Sequence, residues 1–279
     1  MLIGKTYWKG LALPKILYAT ESIPFNKKEL DKLQVIDNRA YRAILDVPIF
    51  TAAPFLRSEV GASSAYSRDI KNKLLFIKHA YSENNNKLLK NIIYNEITKK
   101  ETVWSKNVNN YMAELNLNPT RLTLLSKEQI KKEIYKWDTN LWKEQLSNKI
   151  TMTRYRSQKE NIQETSWFRN GFKHSLMMRA RADVLNLQWR NHGENNNSND
   201  KNCPLCLQAD ETLDHFLLDC NSLQDIRNQH IILQRPVNRD REEILNKLLL
   251  FNTENEQTEY YLQLLSQLWT RRTKLLKYE

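Results

Sequence analysis

The most informative segment of the chain runs from Cys203 to Cys220 and reads CPLCLQADETLDHFLLDC. It contains all three cysteines of the sequence and one histidine, His215, in the spacing C-x2-C-x8-H-x4-C. Zinc prefers four sulfur or nitrogen ligands in a tetrahedron, and a C-x2-C turn supplies two thiolates from one tight loop. We therefore predict that Cys203, Cys206, His215 and Cys220 bind one zinc ion.

Two alternatives for these cysteines stay open, namely a disulfide with one free thiol and a chance cluster of buried cysteines. The odd number of cysteines and the lack of a secretory segment disfavour the disulfide. The sequence between the ligands also suits a metal site, because Asp210 is expected to cap a short helix over about residues 211–218. That helix would present His215, and Cys220 would follow its end.

The charge of the chain is the next strongest feature, with a formal net charge of +11 and a pI near 9.4. An excess of this size favours polyanionic partners, first nucleic acid and second an anionic membrane surface. The alternative is that lysine-rich helices only keep the protein soluble. We see no signal peptide and no apolar run of about 20 residues. These features predict an intracellular protein of the nucleus or cytoplasm, not secreted and not membrane-bound, whose thiols stay reduced.

The spacing of apolar residues predicts a mainly α-helical fold. Glycine is scarce, and apolar residues recur at intervals of three and four. Asn26 with Glu29 and Ser126 with Gln129 have the spacing of capping boxes, which mark helix starts. The first of these helices should end before Pro48. Further helices are predicted at about 54–60, 64–81, 87–99, 101–115, 167–189, 242–251 and 259–277, while 151–164 is expected to be a loop or weak helix.

The same patterns divide the chain into five predicted parts. An asparagine-rich stretch is expected to form a hinge before the metal module. The predicted parts are a helical segment at 1–80, a helical connector at 81–190, the hinge at 191–202, the CCHC module at 203–228 and closing helices at 229–279.

Two strings near the metal motif resemble the C-terminal tail of non-LTR (LINE-type) retrotransposon reverse transcriptases. They are RARADVLNLQWR at Arg179–Arg190 and CPLCLQADETLDHFLLDCNSLQDIR at Cys203–Arg227. In that family a basic helix precedes a CCHC element with an E-T-x-x-H-F-L-x-x-C core. The matching residues here are Glu211, Thr212, His215, Phe216, Leu217 and Cys220.

Two strings nearer the N-terminus resemble the thumb-like segment that follows the polymerase palm in this family. They are LALPKILY at Leu11–Tyr18 and LRSEVG, which contains Arg57, Glu59 and Gly61. The resemblance spans roughly residues 8–78 and 179–227, and the part between them matches only in helical character. It implies a multi-helix thumb and connector bundle followed by a CCHC zinc-binding module and closing helices.

The resemblance also implies a function, which is to hold template RNA and target DNA for an RNA-directed DNA polymerase. Catalysis is not expected, because the adjacent Asp pair that holds two metal ions in a polymerase palm does not occur in this sequence. The sequence has no endonuclease pattern either. We therefore expect a non-enzymatic fragment whose partners are RNA and DNA and the rest of the retrotransposon protein.

Basic residues with neighbouring aromatic residues are the candidates for nucleic-acid contact, since cations bind phosphates and aromatic rings stack on bases. Packing inside the helical core is the alternative for the aromatic residues. The candidates are Arg154, Tyr155, Arg156, Arg169, Lys173, Arg179, Arg181 and Arg190.

Two other functions are kept as alternatives. The chain is either a zinc-stabilised protein-interaction module or a piece of a complete reverse transcriptase whose palm lies upstream. In the second case, apolar surface around residues 11–18 should be exposed where the palm would dock.

Overall fold

A computed structural model of the chain describes residues 3–81, 87–188, 201–233, 240–251 and 257–277, and the regular structure in these ranges is helical. They contain no β-strand, only one isolated bridge between Asn202 and Asp210. The mainly α-helical prediction is therefore confirmed. The α-helices are α1 Ile3–Tyr7, α2 Leu13–Ile16, α3 Lys27–Leu45, α4 Ala53–Val60, α5 Ala65–Ala80, α6 Lys87–Lys99, α7 Val103–Glu114, α8 Pro119–Leu124, α9 Lys127–Ser147, α10 Thr153–Gln158, α11 Phe172–Arg181, α12 Gln224–Arg227, α13 Arg241–Leu248 and α14 Thr258–Leu275.

Shorter helical segments join several of these helices. A π-helical turn, Trp8–Ala12, connects α1 to α2, and a second one, His215–Asp219, lies in the CCHC segment. Three further turns are 3-10 helices at Ile150–Met152, Asn221–Leu223 and Ile231–Leu233. No helix in the described ranges is long and apolar enough to span a bilayer.

The capping signals in the sequence predict the helix starts correctly. Asn26 Oδ1 accepts a hydrogen bond from the Glu29 amide at 3.0 Å, and the Glu29 carboxylate accepts one from the Asn26 amide at 2.8 Å. Ser126 and Gln129 form the same reciprocal pair at the start of α9. Each box satisfies amide groups that have no partner inside the helix.

The predicted helix at 167–189 is wrong at both ends, since α11 covers only Phe172–Arg181. Gly171 precedes it with φ 138°, and Asp183 follows it with φ 53°. Neither conformation continues a right-handed helix, so the apolar spacing outside α11 belongs to irregular segments. The stretch 151–164, expected as a loop or weak helix, contains the short helix α10.

The described helices bury three apolar clusters. One lies among α5, α6, α7, α8 and α9, and a second joins α3, α4, α9, α10 and α11. The third, which we call the C-terminal core, combines Leu176 and Met177 of α11 with Cys203, Phe216 and Leu262. The predicted boundary at 228 and the predicted hinge therefore do not separate independent cores. Of that hinge, 191–200 lie outside the described residues.

Helix α4 is buried from Pro54 to Val60 and contains the LRSEVG segment except its last residue, Gly61. Arg57 donates to Asp138 Oδ1 on α9 at 2.8 Å, and both side chains are almost fully buried. Glu59 accepts from Arg181 of α11 at 3.0 Å and from the Tyr155 hydroxyl at 2.6 Å. The polar residues of this segment thus join α4 to three distant helices.

Gly61 ends α4 in the left-handed conformation, with φ 59°, and it lies against the chain at Glu164. A Cβ atom there would stand 2.8 Å from the Glu164 amide nitrogen. We expect Gly61→Ala to lower the free energy of unfolding by more than the roughly 1–2 kcal/mol that a left-handed conformation costs an L-residue. Urea denaturation measures the change. Gly10→Ala is the control, since its Cβ would meet no atom within 4 Å, and equal stability of the two variants would contradict the prediction.

Candidate metal centre and basic surface

The first two cysteines lie in a tight hairpin. The Cys203 amide donates to the Ala209 carbonyl at 2.7 Å, and the Glu211 amide donates to the Lys201 carbonyl at 3.0 Å. Inside the hairpin the Leu207 amide donates to the Cys203 carbonyl at 2.8 Å, and Leu207 has φ 56°. The turn therefore folds back on itself and directs two thiols to one side.

The other two ligands come from the helical turn that follows. Its cap is Thr212, whose hydroxyl accepts from the His215 amide at 3.1 Å, so the expectation that Asp210 caps this helix is wrong. The helix begins two residues later than predicted and widens into the π-helical turn His215–Asp219. Its wide hydrogen bond, from the Cys220 amide to the His215 carbonyl at 2.9 Å, brings His215 and Cys220 to the same side.

The four predicted ligands converge on one point. Their ligand atoms all lie within 4.8 Å of one another. Cys203 Sγ is 3.7 Å from Cys220 Sγ, and Cys206 Sγ is 3.4 Å from His215 Nε2. A disulfide would need sulfur atoms about 2.05 Å apart, and all three cysteines are free. The residues are therefore placed to hold one metal ion.

The two buried thiols of the site differ in acidity. A hydrogen bond with Cys220, together with burial, raises the pKa of Cys203. The same hydrogen bond lowers the pKa of Cys220. Metal binding displaces the remaining protons, since thiolates are the ligands.

A buried arginine, Arg227, binds the backbone of the last ligand, Cys220. Arg227 is 2% exposed, and its guanidinium donates to the Cys220 carbonyl and lies 3.3 Å from Gln224 Oε1. Removing the guanidinium would leave this buried carbonyl with only the Leu223 amide as a donor, at 3.0 Å. No sequence signal indicated this role, because Arg227 follows the motif by seven residues and looks like an ordinary surface cation.

Acidic residues of the metal module form ion pairs with arginines of other helices. Asp214 lies 3.0 Å from Arg154 of α10, and Asp225 lies 3.0 Å from Arg271 of α14. Glu211 pairs with Arg272, and Asp219 with Arg241. The module is therefore joined to its neighbours by ion pairs, and its own surface is acidic rather than basic.

Two of the predicted nucleic-acid contacts are buried. Tyr155 is 2% exposed, and its ring packs against Phe55 and Phe251 at centroid distances of 4.9 and 5.8 Å. Arg181 is 5% exposed and donates to Glu59 and to the carbonyls of Leu249 and Leu250. Neither side chain reaches the surface in this structure, so neither is placed to contact a nucleic acid. For Tyr155 the alternative given above, packing of the aromatic ring inside the helical core, describes its position.

The remaining candidates differ in how they are paired. Arg154 is half-buried between Asp214 and Glu242, each at 3.0 Å. Lys173 and Arg179 form exposed ion pairs with acidic residues at 2.8 and 3.0 Å, respectively. Exposed pairs of this kind contribute about 0–1 kcal/mol and exchange readily. Arg156 and Arg169 are exposed and donate only to backbone carbonyls, while Arg190 lies outside the described residues.

Helix α9 presents a row of cations that are absent from the predicted set of nucleic-acid contacts. Lys132, Lys136 and Lys143 are exposed and share one face of the helix, since they are four and seven residues apart. None of the three forms an ion pair with a described residue. Arg156 extends the row, because its guanidinium donates to the Ser147 carbonyl at the end of α9 at 3.0 Å. The signal was present in the sequence as a period of lysines on a predicted helix.

Comparison of the chain found no matching family model, no similar curated protein and no similar solved structure. The likeness to retrotransposon reverse transcriptases therefore depends on the motif residues quoted above. Function has to be argued from the geometry of the chain itself.

An apolar groove of about 1020 Å³ lies among α1, α3 and the start of α11. Tyr7, Leu11 and Phe172 line it and are 63%, 55% and 57% exposed. Tyr18, after α2, is 81% exposed. Exposed apolar surface of this extent is typical of a protein contact site. Of the segment 11–18, for which such exposure was expected, Leu11, Ala12 and Lys15 line the groove and Tyr18 lies outside it.

Proposed function

We propose that this protein binds RNA and DNA through their phosphates, as the non-catalytic, zinc-containing C-terminal part of a retrotransposon-type reverse transcriptase. The observation that carries the proposal is the row of cations formed by α9 and Arg156, which has no acidic partner among the described residues. The resemblance to reverse transcriptases indicates nucleic acid as the partner. The exposed cations of α9 and Arg156 indicate the surface that would bind it.

The spacing of the ligand atoms supports zinc as the ion of the metal centre. Zinc–sulfur bonds of about 2.3 Å and zinc–nitrogen bonds of about 2.05 Å in a tetrahedron put two sulfurs about 3.8 Å apart and a sulfur and a nitrogen about 3.6 Å apart. The observed separations are 3.7 Å and 3.4 Å. Four protein ligands leave no open position, which is the arrangement of a structural zinc site. The ion would hold the C-terminal core together and would not act on the nucleic acid.

The distribution of charge supports a nucleic-acid partner. Each strongly buried acid in the described ranges faces a basic side chain, as in Arg57–Asp138, Arg68–Asp37 and Arg272–Glu211. These pairs cancel, so they do not consume the formal excess of +11. The excess stays with the more exposed residues, where it attracts phosphates and displaces their counterions.

The row on α9 has the dimensions of a backbone contact. Lys132 and Lys143 are about 17 Å apart along the helix axis at about 1.5 Å per residue, a length comparable to roughly five nucleotides of one strand at about 3.4 Å each. Lysine side chains that contact phosphates give affinity and register but little preference for sequence. Binding of this kind should depend strongly on salt.

We expect the purified protein to bind single-stranded RNA and DNA with an affinity that falls steeply as salt rises. Changing Lys132, Lys136, Lys143 and Arg156 to glutamine should reduce the slope of log affinity against log salt by about 0.7 for each phosphate that is no longer neutralised. Fluorescence anisotropy with a labelled oligonucleotide over a salt series measures this slope.

The control has the same change in net charge at another part of the surface. Lys87, Lys99, Lys100 and Lys106 are exposed lysines on and after α6, and their glutamine variant should keep most of the slope. An equal reduction of the slope in the two variants would overturn the α9 site while leaving nucleic-acid binding intact. An absence of binding at low salt would overturn the function itself.

The apolar groove favours a second candidate, in which the chain is a zinc-stabilised protein-interaction module. Its partner would cover Tyr7, Leu11 and Phe172, and the palm of a reverse transcriptase is one such partner. Nuclease treatment separates the two proposals, since a protein complex formed through this groove survives it. Leu11→Asp should weaken that complex without changing the salt slope of nucleic-acid binding.

A further inference from the structure

The buried pair between Glu211 and Arg272 joins the metal module to the last helix. Arg272 Nε lies 2.6 Å from Glu211 Oε1, and Arg272 Nη2 lies 2.7 Å from Glu211 Oε2. Both residues are largely buried, with 1% of Glu211 and 7% of Arg272 exposed. A two-pronged contact of this kind fixes both the distance and the orientation of the two groups.

Glu211 stands between the two halves of the ligand set. Its amide donates to the Lys201 carbonyl and so closes the hairpin that carries Cys203 and Cys206. The next residue, Thr212, caps the helical turn that carries His215. The side chain of Glu211 also accepts a hydrogen bond from the Gln188 amide at 2.7 Å. Any movement of Glu211 therefore changes the position of one half of the ligands relative to the other.

Helix α14 reaches the site at a second point. The guanidinium of Arg272 lies 5.2 Å from the ring centroid of Trp269, and Trp269 packs edge-on against Phe216 at 5.9 Å. Phe216 directly follows the ligand His215 and is 1% exposed. The last helix thus contacts the residues beside two different parts of the ligand set.

From this geometry we infer that Arg272 is a positioning residue of the metal centre, and that α14 forms one wall of it although it lies outside the ligand motif. Zinc affinity and the docking of α14 are then coupled, and the coupling is reciprocal. Partners that hold a ligand in place typically change metal affinity about 10- to 100-fold when they are removed.

The test measures zinc affinity by competition with a chelating dye. We expect Arg272→Gln to raise the dissociation constant for zinc about 10- to 100-fold. Arg272→Lys keeps the charge but loses the two-pronged contact, so its affinity for zinc should lie between that of the natural chain and that of Arg272→Gln. Arg271→Gln is the neighbouring control, since Arg271 forms a half-exposed pair with Asp225, and it should bind zinc as the natural chain does.

A second control separates positioning from simple loss of stability. Leu268 is fully buried on α14 and does not contact Glu211 through a polar group. Leu268→Ala should destabilise the C-terminal core by about 2–5 kcal/mol. If zinc affinity merely followed stability, this variant would lose at least as much affinity as Arg272→Gln, and that result would overturn the inference.

Cobalt substitution gives a readout of ligand geometry at saturating metal, where even a weakened site is occupied. The visible absorption bands of the cobalt form should shift in Arg272→Gln and in Glu211→Gln and stay unchanged in Leu268→Ala. Identical spectra in all variants would show that Arg272 does not position the ligands. Because Glu211→Gln breaks the same pair from the other side, it keeps the test decisive if Arg272→Gln fails to fold.

Discussion

Cys206→Ser should lose the bound metal and unfold the C-terminal core. Structural zinc contributes on the order of 10 kcal/mol in small metal modules, which matches or exceeds the whole stability of many domains. Cys206 is the cleanest of the ligands to change, since it is only partly buried and serine is nearly the same size. Serine at Cys203 or Cys220 would add the separate cost of a buried polar group.

The loss should spread beyond the module. Cys203, Cys220, Phe216 and Leu217 belong to the same apolar cluster as residues of α11, α13 and α14. We therefore expect circular dichroism to show loss of part of the helix content, while the other two apolar clusters persist. Elemental analysis should find one zinc per natural chain and none in the variant.

A pair of histidine variants provides the control. His215→Gln should behave as Cys206→Ser does. His230→Gln should retain one zinc per chain, because His230 contacts Tyr260 and Gln267 instead of the ligand set. Full metal occupancy with unchanged melting in Cys206→Ser would refute the assigned ligands.

The ligands were predictable from the sequence because local geometry determines them. A C-x2-C hairpin and a capped helical turn need only neighbouring residues, and their hydrogen bonds join positions close together in the chain. The capping boxes at Asn26 and Ser126 were predictable for the same reason. Such features can be derived from spacing and residue type alone.

The ion pairs were not predictable, because the residues that form them are far apart along the chain. Arg57 and Asp138 are separated by 81 positions, and Arg181 and Glu59 by 122. A charged residue in a sequence is expected at the surface, so the sequence alone makes Arg181 look like a phosphate contact. The same reasoning misplaced Tyr155, whose burial depends on α4 and on Phe251 rather than on its basic neighbours.

Helix α11 shows a third limit. Apolar spacing continues from 167 to 189 and predicts one long helix, but the left-handed residue Asp183 and the turn at Gly171 interrupt it. Apolar residues outside the helix are still buried, as Phe168 and Leu187 show. Periodicity therefore located the core correctly and overestimated the length of the helix.

Glu59→Gln should destabilise the protein by about 3–5 kcal/mol, the usual cost of removing one partner of a buried ion pair. The change is small in volume, so it tests charge rather than packing. Glu59 lies at the centre of a polar cluster in which Arg181, Lys159, Tyr155 and Thr165 all face its carboxylate. Without the negative charge, the guanidinium of Arg181 is left buried and uncompensated.

Two variants make the result specific. Glu164→Gln removes an exposed carboxylate that pairs with Lys5, and it should change stability by less than about 1 kcal/mol. Glu59→Leu combined with Arg181→Met removes both charges at once and should recover much of the loss, since apolar replacements of buried pairs are often neutral. If the double variant were no more stable than Glu59→Gln, the loss would not come from an unpaired charge.

The pH dependence follows from the pKa of Glu59. Burial acts to raise it, but the charges of Arg181 and Lys159 and the hydrogen bonds from Thr165 and Tyr155 outweigh burial and leave the pKa below its ordinary value of 4.5. A carboxylate with a lowered pKa contributes stability that is fully present above its ordinary pKa. That contribution is lost as pH falls through the lowered value.

The difference in free energy of unfolding between the natural chain and Glu59→Gln should therefore be constant near neutral pH and shrink below about pH 4.5. Urea denaturation at a series of pH values measures this difference, and a gap that widened toward acid would contradict the charge assignment of the cluster.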